Sequence, residues 1–175
     1  DYDDLMAAVD AAVAKGYVDP QRLFVTGGSG GGVLTAWIVG KTNRFRAAVV
    51  AKPVINWTSF ALTSDGAAYY GRYWFGKNPW EEGAQAEYWR RSPLSLVGNV
   101  KTPTMLITGE QDFRTPISET EQYYTGLKLN GVDTAMVRVP ESSHGMMDHP
   151  SRLVAKSTYI LGWFAKHGGV AASEQ

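Results

Sequence analysis

Three short stretches of this chain carry the residue types needed to activate a hydroxyl as a nucleophile. They are Gly27-Gly28-Ser29-Gly30-Gly31, Gly109-Glu110-Gln111-Asp112 and Glu141-Ser142-Ser143-His144-Gly145. A serine is a weak nucleophile until a base takes its proton, and the base in turn needs an acid to orient it. Gly27-x-Ser29-x-Gly31 fits the pattern of a tight strand-to-helix turn that holds its serine in a strained conformation and lifts Oγ clear of the sheet. Glycines two residues either side are expected to let strand and helix approach without Cβ clashes. The next amide, that of Gly30, would then face a developing oxyanion, in the favourable field of a helix N-terminus.

The pattern alone is weak, since composition supplies it by chance in about one such chain in ten. Two other glycine-rich turns are excluded. Val33-Leu34 follows Gly32 where a phosphate loop needs Lys and Ser or Thr, and Val33 stands where a dinucleotide turn needs its last glycine. What carries the reading is the setting, a strand entering the turn and a helix leaving it. In such a fold the acid and then the base follow the serine, each in a loop after a later strand. Of three histidines, His144 lies in a loop just past a strand, His149 adjoins Pro150 at a helix start, and His167 ends a helix where a cation suits the dipole. His144 is therefore the expected base. Asp112 is the expected acid, deeper in its loop than Glu110, which reads as structural.

The elements that must position these residues alternate. Residues 1–16 predict an amphipathic helix with Leu5, Val9, Ala12 and Val13 on one face and Gly16 closing it. Residues 22–26 predict a strand, and a helix follows the glycine run through Val39. Residues 45–54, rich in Ala and Val, predict a strand covered on both faces. Residues 55–100 hold about half of the aromatic side chains and predict a helical excursion, because linkers are poor in aromatics. Strands follow at 104–108 and 133–139. Between them, Pro116 in the first turn and Ser118-x-x-Glu121 mark a capped helix. A last helix over 150–167 should turn Leu153, Ile160, Leu161 and Phe164 inward, with a frayed tail over 168–175. This order predicts an α/β fold: a mostly parallel sheet of about four strands with helices on both faces, the C-terminal part of an α/β-hydrolase domain with its N-terminal strands missing.

Bulk properties narrow the partners. Lys plus Arg equals Asp plus Glu at 17 each, so neither nucleic acid nor an anionic membrane is an expected partner. With no cysteine, a disulfide framework, a thiolate zinc site and a cysteine nucleophile are excluded. No apolar run approaches the roughly 18 residues that span a bilayer. The helical pattern starts at the first residues with no initiator methionine, which predicts part of a longer polypeptide and leaves the compartment open.

The three motifs, with Phe113-Arg114-Thr115-Pro116 after the second, resemble the catalytic domain of the prolyl oligopeptidase family, in its acylaminoacyl-peptidase-like and bacterial dipeptidyl-aminopeptidase-like branch. The resemblance spans nearly the whole chain. It implies a serine peptidase acting on short peptides with a triad of Ser29, Asp112 and His144, Gly30 in the oxyanion hole, and no metal or cofactor. It implies a substrate pocket from the residues after the second strand, with Val54, Trp57, Phe60 and Tyr70 as candidates, although such aromatics also serve simply to pack an excursion. The residue after the serine is often tyrosine in this family and is Gly30 here. The family's fold has further strands and a β-propeller domain before the elbow, and the second oxyanion donor comes from that part. The strand ending at Thr26 would then be an open sheet edge, covered by the rest of the polypeptide or by a second copy of this chain in a homo-oligomer. An esterase of the same fold, or a non-catalytic interaction module, remains open at this point.

Overall fold

A computed structural model describes residues 1–146 and 149–168. Its elements are α1 (Tyr2–Val13), β1 (Phe24–Gly28), α2 (Gly30–Lys41), β2 (Ala47–Ala51), α3 (Trp57–Thr63), α4 (Ala67–Tyr70), α5 (Ala84–Arg91), β3 (Thr104–Gly109), α6 (Ile117–Leu129), β4 (Thr134–Val139) and α7 (Pro150–Gly168). A π-helical turn, Gly71–Phe75, follows α4, and a 3₁₀ segment, Pro93–Asn99, follows α5. The excursion over 55–100 is thus helical, as its composition predicts. Beyond Gly168, the expected frayed tail lies outside the described residues.

The strands form one parallel sheet in the order β1-β2-β3-β4. All of β2 and β3 is buried, which the Ala- and Val-rich run of β2 anticipates. Alternate side chains serve opposite layers. Ala48, Val50 and Leu106 pack against Ala36 and Val39 of α2 and Tyr123 and Leu127 of α6. Ala47, Val49, Ala51, Met105 and Ile107 pack against Trp163 of α7, with Ile160 and Phe164 beside it. This arrangement sends the C-terminal ends of β1, β3 and β4 to one rim, where the serine, acid and base loops begin. Among the described residues β1 pairs only with β2, so its outer edge is open.

Three local expectations are corrected. In α7 the buried anchor is Trp163, whereas Leu161 is 68% exposed and Leu153 44%. Leu161 lies one residue, about 100° of helix, from Ile160 on the packed stripe. The Ser118-x-x-Glu121 cap does not form, because α6 starts at Ile117 with Pro116 at its N-cap and no side-chain cap. Glu121 accepts from Arg138 instead. The apolar face of α1 holds no buried residue.

His167 departs from its expected role as a helix-end cation. Its ring packs on Trp163 at 4.5 Å between centroids, and its Nε2 makes no hydrogen bond, lying 3.6 Å from Asp133. Burial, and then Lys166, hold its pKa below the usual 6.5. A folded-state pKa below the unfolded one means that the unfolded chain takes up the proton first as pH falls. Stability contributed here is therefore complete above about pH 6.5 and is lost below it. Urea unfolding should show a lower midpoint at about pH 5.5 than at about pH 7.5, and His167→Phe should reduce that difference.

Candidate active site

The turn between β1 and α2 is strained where the sequence demands it. Ser29 sits at φ +61° and ψ −121°, its amide donating to the Ala51 carbonyl at 3.1 Å. Such a conformation is costly for a residue with a Cβ and persists only where surrounding contacts impose it. A Cβ on Gly27 would meet the Gly31 carbonyl oxygen at 2.3 Å, so the first glycine is required. A Cβ on Gly31 would meet open space; the second tight approach falls one residue later, where a Cβ on Gly32 would lie 2.5 Å from the Ala51 carbonyl. Gly30 is exposed at the start of α2, where first-turn amides have no intrahelical acceptor.

The structure brings the three sequence-predicted residues together from separate loops. His144 Nε2 lies 3.0 Å from Ser29 Oγ, and His144 Nδ1 lies 2.8 Å from Asp112 Oδ2. With the proton on Nδ1, both contacts are satisfied: the ring donates to the carboxylate and accepts from the hydroxyl. The Asp112 side chain is fully buried while that of His144 is 27% exposed. Asp112 Oδ1 accepts from the amides of Arg114 at 3.0 Å and Thr115 at 2.9 Å. This Asx turn fixes the carboxylate plane, so the local turn and the aim at His144 are one feature. Glu110 points away and accepts from Arg138 at 3.0 Å. His149 is exposed, its carbonyl accepting from the Arg152 amide in the first turn of α7.

Three contributors escape a reading based on motifs. The Thr115 hydroxyl lies 3.1 Å from Asp112 Oδ2, 3.1 Å from the Lys52 carbonyl and 3.2 Å from His144 Nδ1. Gly109 lets the acid and base loops touch, since a Cβ there would lie 2.2 Å from the Ser142 carbonyl. Glu119 is fully buried in α6. Its Oε2 accepts from the amides of Ile55 and Asn56 at 2.9 and 2.8 Å, and its Oε1 from the Ser59 hydroxyl and Gln122. Burial pushes this carboxyl up, against the downward pull of the four donors. Glu119→Ala would strand those donors and should cost about 3–5 kcal/mol in chemical denaturation. Glu121→Ala, which breaks only a surface pair with Arg138, should cost under about 1 kcal/mol.

Three of the four candidate pocket residues pack on one another in the excursion. Trp57, Phe60 and Tyr70 form a ring cluster with Trp74, at centroid spacings from 4.9 to 5.5 Å. Val54 and Phe60 are buried. A cleft of about 310 Å³ between α2 and the excursion is walled by Val33, Leu34, Trp37, Trp57, Trp74 and Phe75, and no triad candidate lines it. A space of about 250 Å³ beside His144 is walled by Asp65, Gln111, Phe113, Arg114 and Ser143. Of the four, only Trp57 lines either of these two cavities. Among the described residues, no group of three or more His, Cys, Asp or Glu side chains could hold a metal ion.

Comparison with known proteins gives a consistent result. Residues 1–170 match the family model described as the prolyl oligopeptidase family. The chain is 44% identical over 170 residues to a protein named uncharacterized peptidase YuxL from Bacillus subtilis, covering 95% of this chain and 26% of that one. It is 34% identical over 177 residues to acylamino-acid-releasing enzyme 1 of Oryza sativa subsp. japonica, covering 95% of this chain and 22% of that one. Its fold superposes on that of Pyrococcus horikoshii acylaminoacyl peptidase with a TM-score of 0.90 at 22% identity, covering 99% of this chain and 29% of that one. The chain therefore spans about a quarter of the length of the relatives it matches.

Proposed function

Because the chain belongs to the prolyl oligopeptidase family, we propose that it forms the catalytic part of a serine peptidase that cleaves short peptides through an acyl-enzyme. The observation that carries this reading is the relay of Ser29, His144 and Asp112, with contacts of 3.0 and 2.8 Å. A relative's name, acylamino-acid-releasing enzyme, favours N-acylated peptides among the substrates.

In this mechanism His144 Nε2 takes the Ser29 Oγ proton as the oxygen attacks the scissile carbonyl carbon. The resulting imidazolium is stabilised by the buried Asp112 carboxylate. The Gly30 amide donates to the tetrahedral oxyanion, and one such donor is worth about 10²–10³ in rate. A second donor is proposed to come from polypeptide outside these residues. Collapse of the intermediate expels the amine, which takes the proton from His144, and leaves an ester on Ser29. Water, deprotonated by His144, then releases the acid and restores the serine.

The discriminating assay offers the complete polypeptide N-acylated and free aminoacyl nitroanilides alongside nitrophenyl acyl esters. Hydrolysis of the anilides supports the peptidase reading. Turnover of the esters with the anilides untouched would overturn it in favour of an esterase.

A further inference from the structure

Lys52, at the end of β2, touches all three loops of the proposed relay. Its Nζ donates to the main-chain carbonyl of His144 at 2.5 Å. Its own carbonyl lies 3.1 Å from the Thr115 hydroxyl, which also reaches Asp112. Its stem runs beside the elbow, where a Cβ built on Gly28 would come within 3.2 Å of Lys52 Cε. Its amide donates to the Ile107 carbonyl, tying it to β3.

The backbone at this position gives a second, independent sign. Lys52 sits at φ +39°, in the left-handed region that favours glycine. If only the turn mattered, glycine would serve it without strain. A long side chain held there against that preference is being used for something its backbone alone does not do. The half-buried ammonium is not placed for surface charge, since burial and nearby Lys156 both disfavour it, against the pull of Asp112.

We propose that Lys52 is a positioning residue that ties the His144 loop to the ends of β2 and β3 and so keeps the imidazole in register with Ser29 and Asp112. It does not reach the reacting atoms; it acts through the His144 main chain. The proposal rests on the peptidase reading above.

The test measures kcat and KM for a short peptide nitroanilide in the complete polypeptide, for wild type, K52M, K52R and K52G. K52M keeps the stem beside Gly28 and loses the donor. K52G relieves the left-handed backbone, so strain cannot make it unfold. Misplacement of a reacting group by about 1 Å costs on the order of 10²-fold, so K52M and K52G should each lose about 10- to 100-fold in kcat with KM within about 3-fold. K52R, which restores a donor on a long stem, should recover most of kcat. Wild-type kcat in K52M or K52G would overturn the proposal, and so would a loss confined to KM. An equal loss in K52R would assign the effect to packing and overturn it too. If wild type does not turn over the anilide, or if Ser29→Ala leaves that turnover unchanged, the peptidase reading fails and this inference falls with it.

Discussion

Ser29→Ala in the complete polypeptide is expected to lower kcat on a peptide nitroanilide by about 10⁶-fold, the scale seen when the nucleophile of a triad is removed. Without Oγ there is no acyl-enzyme, and only the oxyanion donor and substrate binding can still act, worth about 10³–10⁴ over water. Alanine at φ +61° keeps the same backbone cost as serine, and it loses one contact, the 3.0 Å hydrogen bond to His144. Stability should therefore change by under about 1 kcal/mol, the net worth of an ordinary hydrogen bond. The pairing of a lost activity with an unchanged unfolding midpoint is what separates a nucleophile from a structural serine in a tight turn.

Asp112→Asn is the second large effect, and the carboxylate's other contacts decide its sign. Oδ1 already accepts from the Arg114 and Thr115 amides, so in asparagine the carbonyl oxygen must stay on that side. The NH₂ group is then forced toward His144 Nδ1, where it can only donate. The ring must respond by carrying its proton on Nε2, which can no longer accept from Ser29. A fall of about 10⁴ in kcat follows from the wrong tautomer alone. Little change in KM is expected, because the substrate meets neither oxygen of the buried carboxylate. If Asp112 were only a turn former, asparagine would replace it without loss.

Much of this site is legible in the sequence, and the reason is local. The elbow is a short-range device, so its glycines and serine must be adjacent along the chain. The candidate base is the first histidine after a strand, and the candidate acid is one of two carboxylates in the loop after β3. The sheet itself is legible because β2, buried on both faces, reads as an unbroken run of Ala and Val and β3 centres on Met105-Leu106-Ile107. What escapes is whatever depends on contact between distant segments. Gly109 looks like any strand-ending glycine until the Ser142 carbonyl is seen 2.2 Å from its Cβ position. Glu119 looks like a surface residue of α6 until the amides of Ile55 and Asn56 are found on it. Gly31 and Gly32 are indistinguishable in a run of three, and only the distance to Ala51 assigns the tight approach to the second. Leu161 reads as part of the inward face of α7 because two apolar stripes overlap there and hydrophobicity alone does not rank them. The aromatic bulk of Trp163 is what fills the space over β2 and β3.

Everything proposed for this site depends on the activation of Ser29 as a nucleophile by His144 and Asp112. Its most direct measurement is reaction of the complete polypeptide with a fluorophosphonate, with the modified residue located by peptide mass spectrometry. A single adduct on Ser29, absent in the His144→Ala variant, is the predicted result. No adduct, or one on another serine with Ser29 unmodified, would contradict it.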